Sequence, residues 1–143
     1  MVQRDSLSLV LSDFARTLLT DFPIQEILDH LVERIVGVLP ITGAGVTLID
    51  PGLTPRYVAA SDKLALQFER LQSDLGEGPC LMAYQTGDAI SVPDLAREKR
   101  FPAFGPRAID LGMRAVFTFP LRHDGGRLGA LDLYRDKIGR AHV

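Results

Sequence analysis

The sequence predicts an α+β domain, with helices at the start of the chain and a mainly antiparallel sheet after them. Up to Pro40 the apolar residues recur at helical spacing. Short β-rich runs separated by turn signals follow, and neighbouring runs are close enough along the chain to form hairpins. Helices grouped apart from antiparallel strands are typical of the α+β class, and 143 residues is the length of one domain.

Two amphipathic helices are predicted before the first strand. Apolar residues of the first recur every three or four positions and end before Asp21-Phe22-Pro23; they are Leu7, Val10, Leu11, Phe14, Leu18 and Leu19. Those of the second are Ile24, Ile27, Leu28, Leu31, Val32, Ile35 and Leu39, and Pro40 stops the helix. On its other face Glu26, His30 and Arg34 form an i,i+4 polar ladder, which we expect to face water.

The middle of the chain alternates strand and helix signals. Residues 45–50 and 56–60 are predicted to form a hairpin across Pro51-Gly52. Ser61 or Asp62 can cap a third helix that runs to about residue 75, with an apolar face made of Leu64, Phe68, Leu71 and Leu75. The run Gly76-Glu-Gly-Pro-Cys80 then precedes a short helical stretch at 81–85 and a strand near 89–92, because Gly permits positive φ and Pro suits a first helical turn.

The end of the chain predicts a second hairpin. An irregular segment from residue 93 leads into a short helix that ends at 111–112. Residues 114–121 and 127–134 are β-rich and flank the turn signal His123-Asp-Gly-Gly126. The final letters IGRAHV, at 138–143, match the translation of a common sequencing adapter. We therefore expect residues 137–143 to be a non-native tail and a downstream output domain to be missing.

Composition excludes several classes of function. The net charge is −2 with scattered basic residues, which argues against direct nucleic-acid binding by this part of the protein. The single cysteine forms no internal disulfide, and the start of the chain lacks the pattern of a signal peptide. We expect a cytoplasmic domain with no membrane association.

The sequence GEGPCLMAYQTGDAISVPDL, at 76–95, resembles the central segment of GAF domains, and more narrowly the bacterial GAF sensors fused to ANTAR domains. Residues 43–50, 56–62 and 112–136 extend the resemblance, so a GAF domain is predicted over 1–136, with a helical lead-in at 3–39 and a sheet core at 43–136. The resemblance implies a GAF/PAS-like antiparallel sheet with N-terminal helices on one side and a crossing segment, residues 75–104, on the other. It also implies a non-enzymatic sensor in signal transduction that controls an RNA-binding ANTAR domain in transcription antitermination.

A small-molecule pocket is expected between the sheet and the crossing segment. The expected lining is Val46, Leu48, Phe117 and Phe119 from strands, Cys80, Leu81, Tyr84, Phe101 and Phe104 from the crossing segment, and Asp94 and Arg114 as polar contacts. The same apolar side chains also fit a packed core without a ligand. The ligand and any cofactor are unknown at this stage. No catalytic residue is assigned, and no metal site, since His30, His123 and His142 form no ligand cluster.

Cys80 admits several interpretations: a buried unreactive thiol, a redox sensor, or the nucleophile of an enzyme. Free methionine-(R)-sulfoxide reductase resembles this region, but its scheme uses additional cysteines and this chain has one. Bilin attachment is disfavoured because Leu81 stands where phytochromes have histidine after the cysteine. Cyclic-nucleotide binding is disfavoured because its Asn-Lys motif needs an asparagine, which the sequence lacks.

The apolar face of the first predicted helix also has two interpretations. Leu7, Leu11, Phe14 and Leu18 form the seam of a predicted homodimer, or they cover the sheet of their own chain. A dimerisation module without a ligand therefore stands beside the sensor and the enzyme. For a sensor, a ligand that prefers one packing of the crossing segment would shift the population of conformations felt by the output domain.

Overall fold

The computed structural model describes residues 23–137. The elements are α1 (Ile24–Val38), β1 (Gly43–Ile49), β2 (Pro55–Ala60), α2 (Lys63–Leu75), α3 (Pro79–Thr86), β3 (Ile90–Val92), a 3-10 turn (Leu95–Arg97), α4 (Phe104–Asp110), β4 (Ala115–His123) and β5 (Gly126–Arg135). The first predicted helix, with its dimer face, and residues 138–143 lie outside the described residues.

The strands form one antiparallel sheet in the order β2-β1-β5-β4-β3, which confirms the predicted fold class and both hairpins. In the β4–β5 hairpin Asp124 and Gly125 have φ values of 47° and 76°. Two successive residues with positive φ match the twist of the strands that they join, which explains the strength of the Asp-Gly signal. Because β5 pairs with both β1 and β4, it lies at the centre of the sheet.

Helix α1 covers one side of the sheet. Ile24, Leu28 and Val32 are buried in a cluster with side chains of β1 and β2, whereas the predicted polar ladder is exposed, as expected. Two residues that the sequence analysis placed on the inner face, Leu31 and Leu39, are 43% and 42% exposed. The reason is that α1 packs on β1 and β2, while the sheet extends beyond them to β5, β4 and β3.

Helix α2 packs on the opposite side of the sheet with a face that only partly matches the prediction. Asp62 caps the helix, since its Oδ1 accepts a hydrogen bond from the Ala65 N–H at 2.7 Å. The buried residues are Ala65, Phe68, Glu69 and Gln72, whereas Leu64 is exposed. The predicted Leu64, Phe68, Leu71 and Leu75 face is therefore wrong at its edge, because the polar side chains of α2 find polar partners on the sheet.

The crossing segment starts where the sequence predicts, with Gly78 as the N-cap of α3 and Pro79 in its first turn. Gly78 has φ 149°, in the region that other residues rarely adopt. The carboxylate of Glu77 accepts hydrogen bonds from the backbone N–H groups of Ala103 and Phe104, at 2.8 and 2.7 Å. One end of the crossing segment thus holds the start of α4 at its other end.

Candidate functional site

A group of buried polar side chains lies where α2 and α3 meet the sheet. We call it the polar cluster: Thr47 of β1, Glu69 and Gln72 of α2, Cys80 of α3, Thr118 of β4, and Asp132 and Tyr134 of β5. Each of these residues is 3% exposed or less. Burial of several polar groups is costly unless they bond to one another, so their geometry decides what the cluster can do.

Asp132 is the acceptor at the centre of the cluster. Its Oδ1 accepts a hydrogen bond from the Thr118 hydroxyl at 2.5 Å. Its Oδ2 lies 3.3 Å from the Gln72 amide nitrogen and 3.2 Å from the Tyr134 hydroxyl. Burial raises the pKa of this carboxyl, and the hydrogen bonds that it accepts oppose that rise. Of the two buried carboxyls, Asp132 is therefore the better placed to carry negative charge.

Glu69 is the second buried carboxyl of the cluster. Its Oε1 accepts from the Thr47 hydroxyl at 2.7 Å, and its Oε2 accepts from the Tyr134 hydroxyl. Burial raises the pKa of Glu69 well above its ordinary value, and the neighbouring Asp132 raises it further through charge and a hydrogen bond. Of the two coupled carboxyls, Glu69 therefore holds a proton the more readily and Asp132 the negative charge.

Gln72 connects the carboxyl pair to the start of α3. Its amide nitrogen donates to Asp132, while its Oε1 accepts a hydrogen bond from the backbone N–H of Cys80 at 2.8 Å. A Cβ added to Gly78 would lie 2.4 Å from Gln72 Oε1, and one added to Gly45 would lie 2.6 Å from Glu69 Cδ. Both glycines are therefore required for the polar side chains of α2 to reach the sheet and α3.

Cys80 lies in the cluster as a thiol. The side chain is 3% exposed. Its pKa is raised well above the ordinary value by burial first, and then by the charges of Asp132 and Glu69. Thiolate chemistry needs the opposite environment, exposed and electropositive, so the interior does not activate this sulfur.

The cluster also contains a set of atoms that can act as metal ligands. The Cys80 Sγ and one carboxylate oxygen each from Glu69 and Asp132 lie within 4.8 Å of one another. The sequence analysis assigned no metal ligands, and the structure brings these three together from α2, α3 and β5. A thiolate with two carboxylates suits a divalent ion such as Zn²⁺, but binding would first require loss of the Glu69 and thiol protons.

The structure does not bring the expected pocket residues into one place. Cys80, Tyr84, Phe101 and Phe104 are buried on the α2–α4 side of the sheet, with Leu81 packed at the edge of that core. Val46 and Leu48 pack on the α1 side. Phe117 and Phe119 also face that side, in a groove with Leu39 and Ile41. The reason is strand alternation, because Thr47 and Thr118 occupy the inward positions that the sequence analysis gave to their neighbours.

Asp94 and Arg114, which the sequence analysis named as polar contacts of the pocket, form an ion pair at the 3-10 turn after β3. Their Oδ1 and Nη2 atoms are 3.6 Å apart, with both side chains partly exposed. Asp94 also caps the turn by accepting a hydrogen bond from the Ala96 N–H at 3.1 Å. Within residues 23–137 neither side chain has a hydrogen bond to the polar cluster, so the pair lies apart from it.

Of the polar cluster, the sequence analysis named only Cys80 as a candidate site residue. One signal was present: Ala130, Asp132 and Tyr134 share a face of β5 by simple alternation, and Ala130 and Tyr134 are apolar enough to be buried. In α2, Glu69 follows Phe68 and lies one helical turn from Ala65, on the same buried face. A polar residue within an apolar face is the pattern that marks such a site.

The GAF domain family matches residues 23–141 of the chain. This chain belongs to the GAF family. GAF domains are typically sensory and regulatory modules, and the α+β architecture described above is theirs.

Solved structures similar to this GAF domain share its fold. A domain of a protein described as a two-component sensor histidine kinase from Sinorhizobium meliloti 1021 has 24% identity and a TM-score of 0.64, over 82% of this chain and 76% of that one. The reduced fRMsr of Staphylococcus aureus has 18% identity and a TM-score of 0.61, over 93% of this chain and 81% of that one. The GAF domain of an Acinetobacter phosphoenolpyruvate-protein phosphotransferase has 12% identity and a TM-score of 0.59, over 92% and 78%. At these identities the likeness concerns the fold alone.

Comparison with curated proteins gives no match to this GAF domain. Among the helices within residues 23–137, none has the length and apolar character needed to cross a membrane.

Proposed function

We propose that this GAF domain is a non-enzymatic sensor that receives a small molecule at the polar cluster and controls an attached RNA-binding ANTAR domain. The observation that supports the proposal is the polar cluster itself. It joins β1, β4 and β5 to α2 and α3 through buried hydrogen bonds, at the place where the crossing segment leaves the sheet. A change of charge or bonding there acts on all of these elements together.

Gln72 is the residue through which a signal would reach the crossing segment. It holds the Cys80 N–H with its oxygen and Asp132 with its nitrogen. A ligand that takes over Asp132 as a hydrogen-bond partner releases Gln72, and with it the first turn of α3. The binding energy then favours a different packing of the crossing segment, which is the population shift that a regulatory domain requires.

The charge of the cluster indicates the chemistry of the ligand. The hydrogen bonds from Thr118 and Gln72 favour the negatively charged form of Asp132, and no cationic side chain within residues 23–137 is bonded to it. A ligand with an ammonium group or several N–H donors would compensate this charge, and a carboxylate or phosphate would add to it. We therefore place amines and amino acids ahead of anionic metabolites.

A redox signal at Cys80 is the weaker form of the sensor proposal. Oxidation of a thiol to a sulfenic acid begins with the thiolate reaching an oxidant. Cys80 is buried and its thiol form is favoured, so both requirements are opposed by the fold. Burial opposes the entry of a metabolite as much as that of an oxidant, so the raised pKa of the thiol is what disfavours the redox signal.

The alternative enzymatic function is reduction of free methionine-(R)-sulfoxide, since proteins with that activity share the fold. In that chemistry a thiolate attacks the sulfoxide sulfur, methionine is released, and the cysteine is left as a sulfenic acid that a second thiol reduces with loss of water. With one cysteine in the sequence, the second thiol would have to come from an external reductant. An assay of methionine sulfoxide turnover with excess dithiothreitol should show no activity above that of a Cys80→Ser variant.

The test of the sensor proposal is a thermal-shift screen with a library of amines, amino acids, anionic metabolites and cyclic nucleotides. We expect an amine or amino acid to raise the melting temperature of the wild type and of an exposed-site control, Glu33→Gln, but not of Asp132→Asn. Thr118→Val, which removes one donor to Asp132 and keeps its charge, should retain the shift if Asp132→Asn fails to fold. A library without any stabilising compound would instead favour the dimerisation module without a ligand.

The output domain and the dimer rest on the family resemblance and on the sequence pattern. The ANTAR proposal predicts that the intact gene encodes a small helical domain after Asp136, and a stop codon at that point would contradict it. The homodimer through the N-terminal helices stays a prediction, which light scattering at high micromolar concentration tests.

A further inference from the structure

Strand β2 has one side of its backbone without a partner strand. It is the first strand in the order of the sheet, so only β1 pairs with it within residues 23–137. The Ser61 N–H donates to the Ala44 carbonyl at 2.8 Å, and the register with β1 is unbroken from there to Tyr57. In an antiparallel pair every second residue bonds to the neighbouring strand, and the residues between present their N–H and C=O groups to the other side. The outward residues of this stretch are therefore Val58 and Ala60.

A side chain of α1 bonds to one of these outward groups. The Gln25 amide nitrogen donates to the Val58 carbonyl at 2.7 Å and to the Asp29 Oδ1 at 3.1 Å. Among the residues that the structure describes, the Val58 N–H and both backbone groups of Ala60 have no hydrogen bond. Unpaired backbone groups at the edge of a sheet are a template on which another strand can pair.

The outward edge of β2 is the floor of a cleft of about 590 Å³ between α1 and α2. The two helices lie on opposite sides of the sheet, so the cleft has two walls. Asp29 belongs to the α1 wall, whereas Lys63, Leu66 and Arg70 belong to the α2 wall. The carboxylate of Asp62 also lines the cleft, but it is engaged as the cap of α2. One wall is therefore acidic and the other basic, and their three free charged side chains are exposed.

A ligand for this cleft has to satisfy both its floor and its walls. In an extended peptide, successive side chains point to opposite faces, so a strand beside β2 directs alternate residues at the α1 wall and the α2 wall. Basic side chains suit Asp29, and acidic ones suit Lys63 and Arg70. We propose that the cleft binds an extended segment of a partner protein, which adds to β2 as a sixth strand and carries basic and acidic side chains on opposite faces.

A second copy of this chain fits the cleft less well than such a segment. Antiparallel pairing of β2 with its own equivalent is symmetric, so each wall would meet the same wall of the other copy. The acidic α1 walls would then face each other, and so would the basic α2 walls. Like charges brought together in this way oppose association. A peptide with both signs of charge meets each wall with the opposite charge.

The rest of the edge is protected, which limits the partner to a short segment. β2 begins with Pro55, which has no N–H to donate, and with the charged Arg56. Proline and charged side chains both discourage pairing at sheet edges. Gln25 covers the Val58 carbonyl until a strand supplies an N–H in its place. Pairing is therefore confined to the stretch beside the charged walls, and those walls determine which segment binds.

The test uses a synthetic peptide labelled with fluorescein, Lys-Val-Thr-Glu-Lys-Val, in which lysine and glutamate lie on opposite faces of an extended chain. Fluorescence anisotropy with the full chain should show saturable binding. A peptide of the same composition, Lys-Val-Glu-Thr-Lys-Val, places both charges on one face and should bind more weakly. A version of the first peptide that is methylated on every backbone nitrogen keeps the side chains but cannot donate to β2, so it should not bind.

Charge reversal tests the walls. Arg70→Glu should weaken binding of the first peptide by about fivefold or more, because it replaces an attraction between exposed charges with a repulsion. The matched control is Arg34→Glu, the same change at an exposed position of α1 that does not line the cleft, and it should leave the affinity unchanged. A peptide with lysine in place of its glutamate should prefer the Arg70→Glu variant to the wild type.

Amide exchange locates the bound peptide. Binding should slow exchange at Val58 and Ala60, whose N–H groups point outward. Exchange at Tyr57 and Ala59 should stay the same, since their N–H groups already bond to β1. The proposal is overturned by the absence of saturable binding, by equal binding of the methylated peptide, or by binding without slower exchange at the two outward positions. A dimer of the protein that forms in competition with the peptide would assign the edge to a second copy instead.

Discussion

The proton on Glu69 should make the stability of this domain fall as pH rises above the acidic range. A carboxyl whose pKa is raised in the folded state binds its proton more tightly there than in the unfolded chain. Its stabilising contribution is fully present below the unfolded pKa, near 4.5, and is lost as pH rises toward the folded pKa. The pKa of Asp132 is raised as well, so its contribution has the same sign.

The size of the effect follows from proton linkage. While the native state holds one proton more than the unfolded state, each pH unit changes the free energy of unfolding by about 1.36 kcal/mol. Between pH 5.5 and 7.5 the wild type should therefore lose up to about 2.7 kcal/mol. Glu98 has the opposite sign, since hydrogen bonds from Arg100 lower its pKa to about 2. Its stabilisation is lost only as pH falls below about 4.5, outside the window tested.

The matched variant is Glu69→Gln, which keeps the shape and presents an N–H donor toward Asp132 in place of the carboxyl proton. Urea denaturation of wild type, Glu69→Gln and the exposed control Glu33→Gln at several pH values measures the slope of each. Groups that the substitutions leave unchanged contribute equally to all three proteins and cancel in the comparison. We expect a clearly shallower slope for Glu69→Gln alone. Equal slopes for wild type and Glu69→Gln, or stability that rises with pH in this window, would refute a proton held on Glu69.

Three further predictions test the packing. Gly129→Ala should lower the free energy of unfolding by about 3 kcal/mol or more, because the added Cβ would lie 1.9 Å from the Thr47 carbonyl oxygen. Gly37→Ala in α1 has open space around it and should raise the free energy of unfolding by about 0.5–1 kcal/mol. Thermal melting that ranks the two variants otherwise would contradict the packing. Glu77→Ala should cost about 1 kcal/mol and speed amide exchange at Phe104, and unchanged exchange would argue against the cap. Cys80 should react with an aromatic disulfide reagent about a hundredfold or more slower in the native protein than in urea, and similar rates would show an accessible thiol.

Most of the fold could be predicted from local signals in the sequence. The Asp-Gly turn, the Asp62 cap and the Gly78-Pro79 start of α3 each have a conformation that few other residues favour, so one short stretch was enough to predict them. The faces of the elements were harder to predict. Leu31 shows why: its inward or outward position depends on how far α1 extends across the sheet, which is a property of the assembled fold.

The polar cluster shows the limit of reading one sequence. Glu69 and Asp132 lie 63 positions apart by their numbering, and each taken alone resembles an ordinary surface carboxylate. Only the pairing of β5 with β1, beneath α2, brings them together. The sequence analysis also chose the wrong side of β4. It placed Phe117 and Phe119 in the pocket because they are more apolar, but Thr118 is the residue that faces Asp132.

Stability alone does not account for the polar cluster. Replacing buried charged groups with apolar residues of similar size is often neutral or stabilising, whereas removing one partner leaves the other unsatisfied. Apolar side chains at positions 69 and 132 would bury the same area without a charge. They would accept no hydrogen bond from Gln72, so nothing would connect Gln72 and the start of α3 to β5. What the cluster adds is therefore connection between the crossing segment and the sheet. A double replacement, Glu69→Met with Asp132→Leu, separates the two roles, since it should keep the domain folded while abolishing the ligand-induced stabilisation that depends on Asp132.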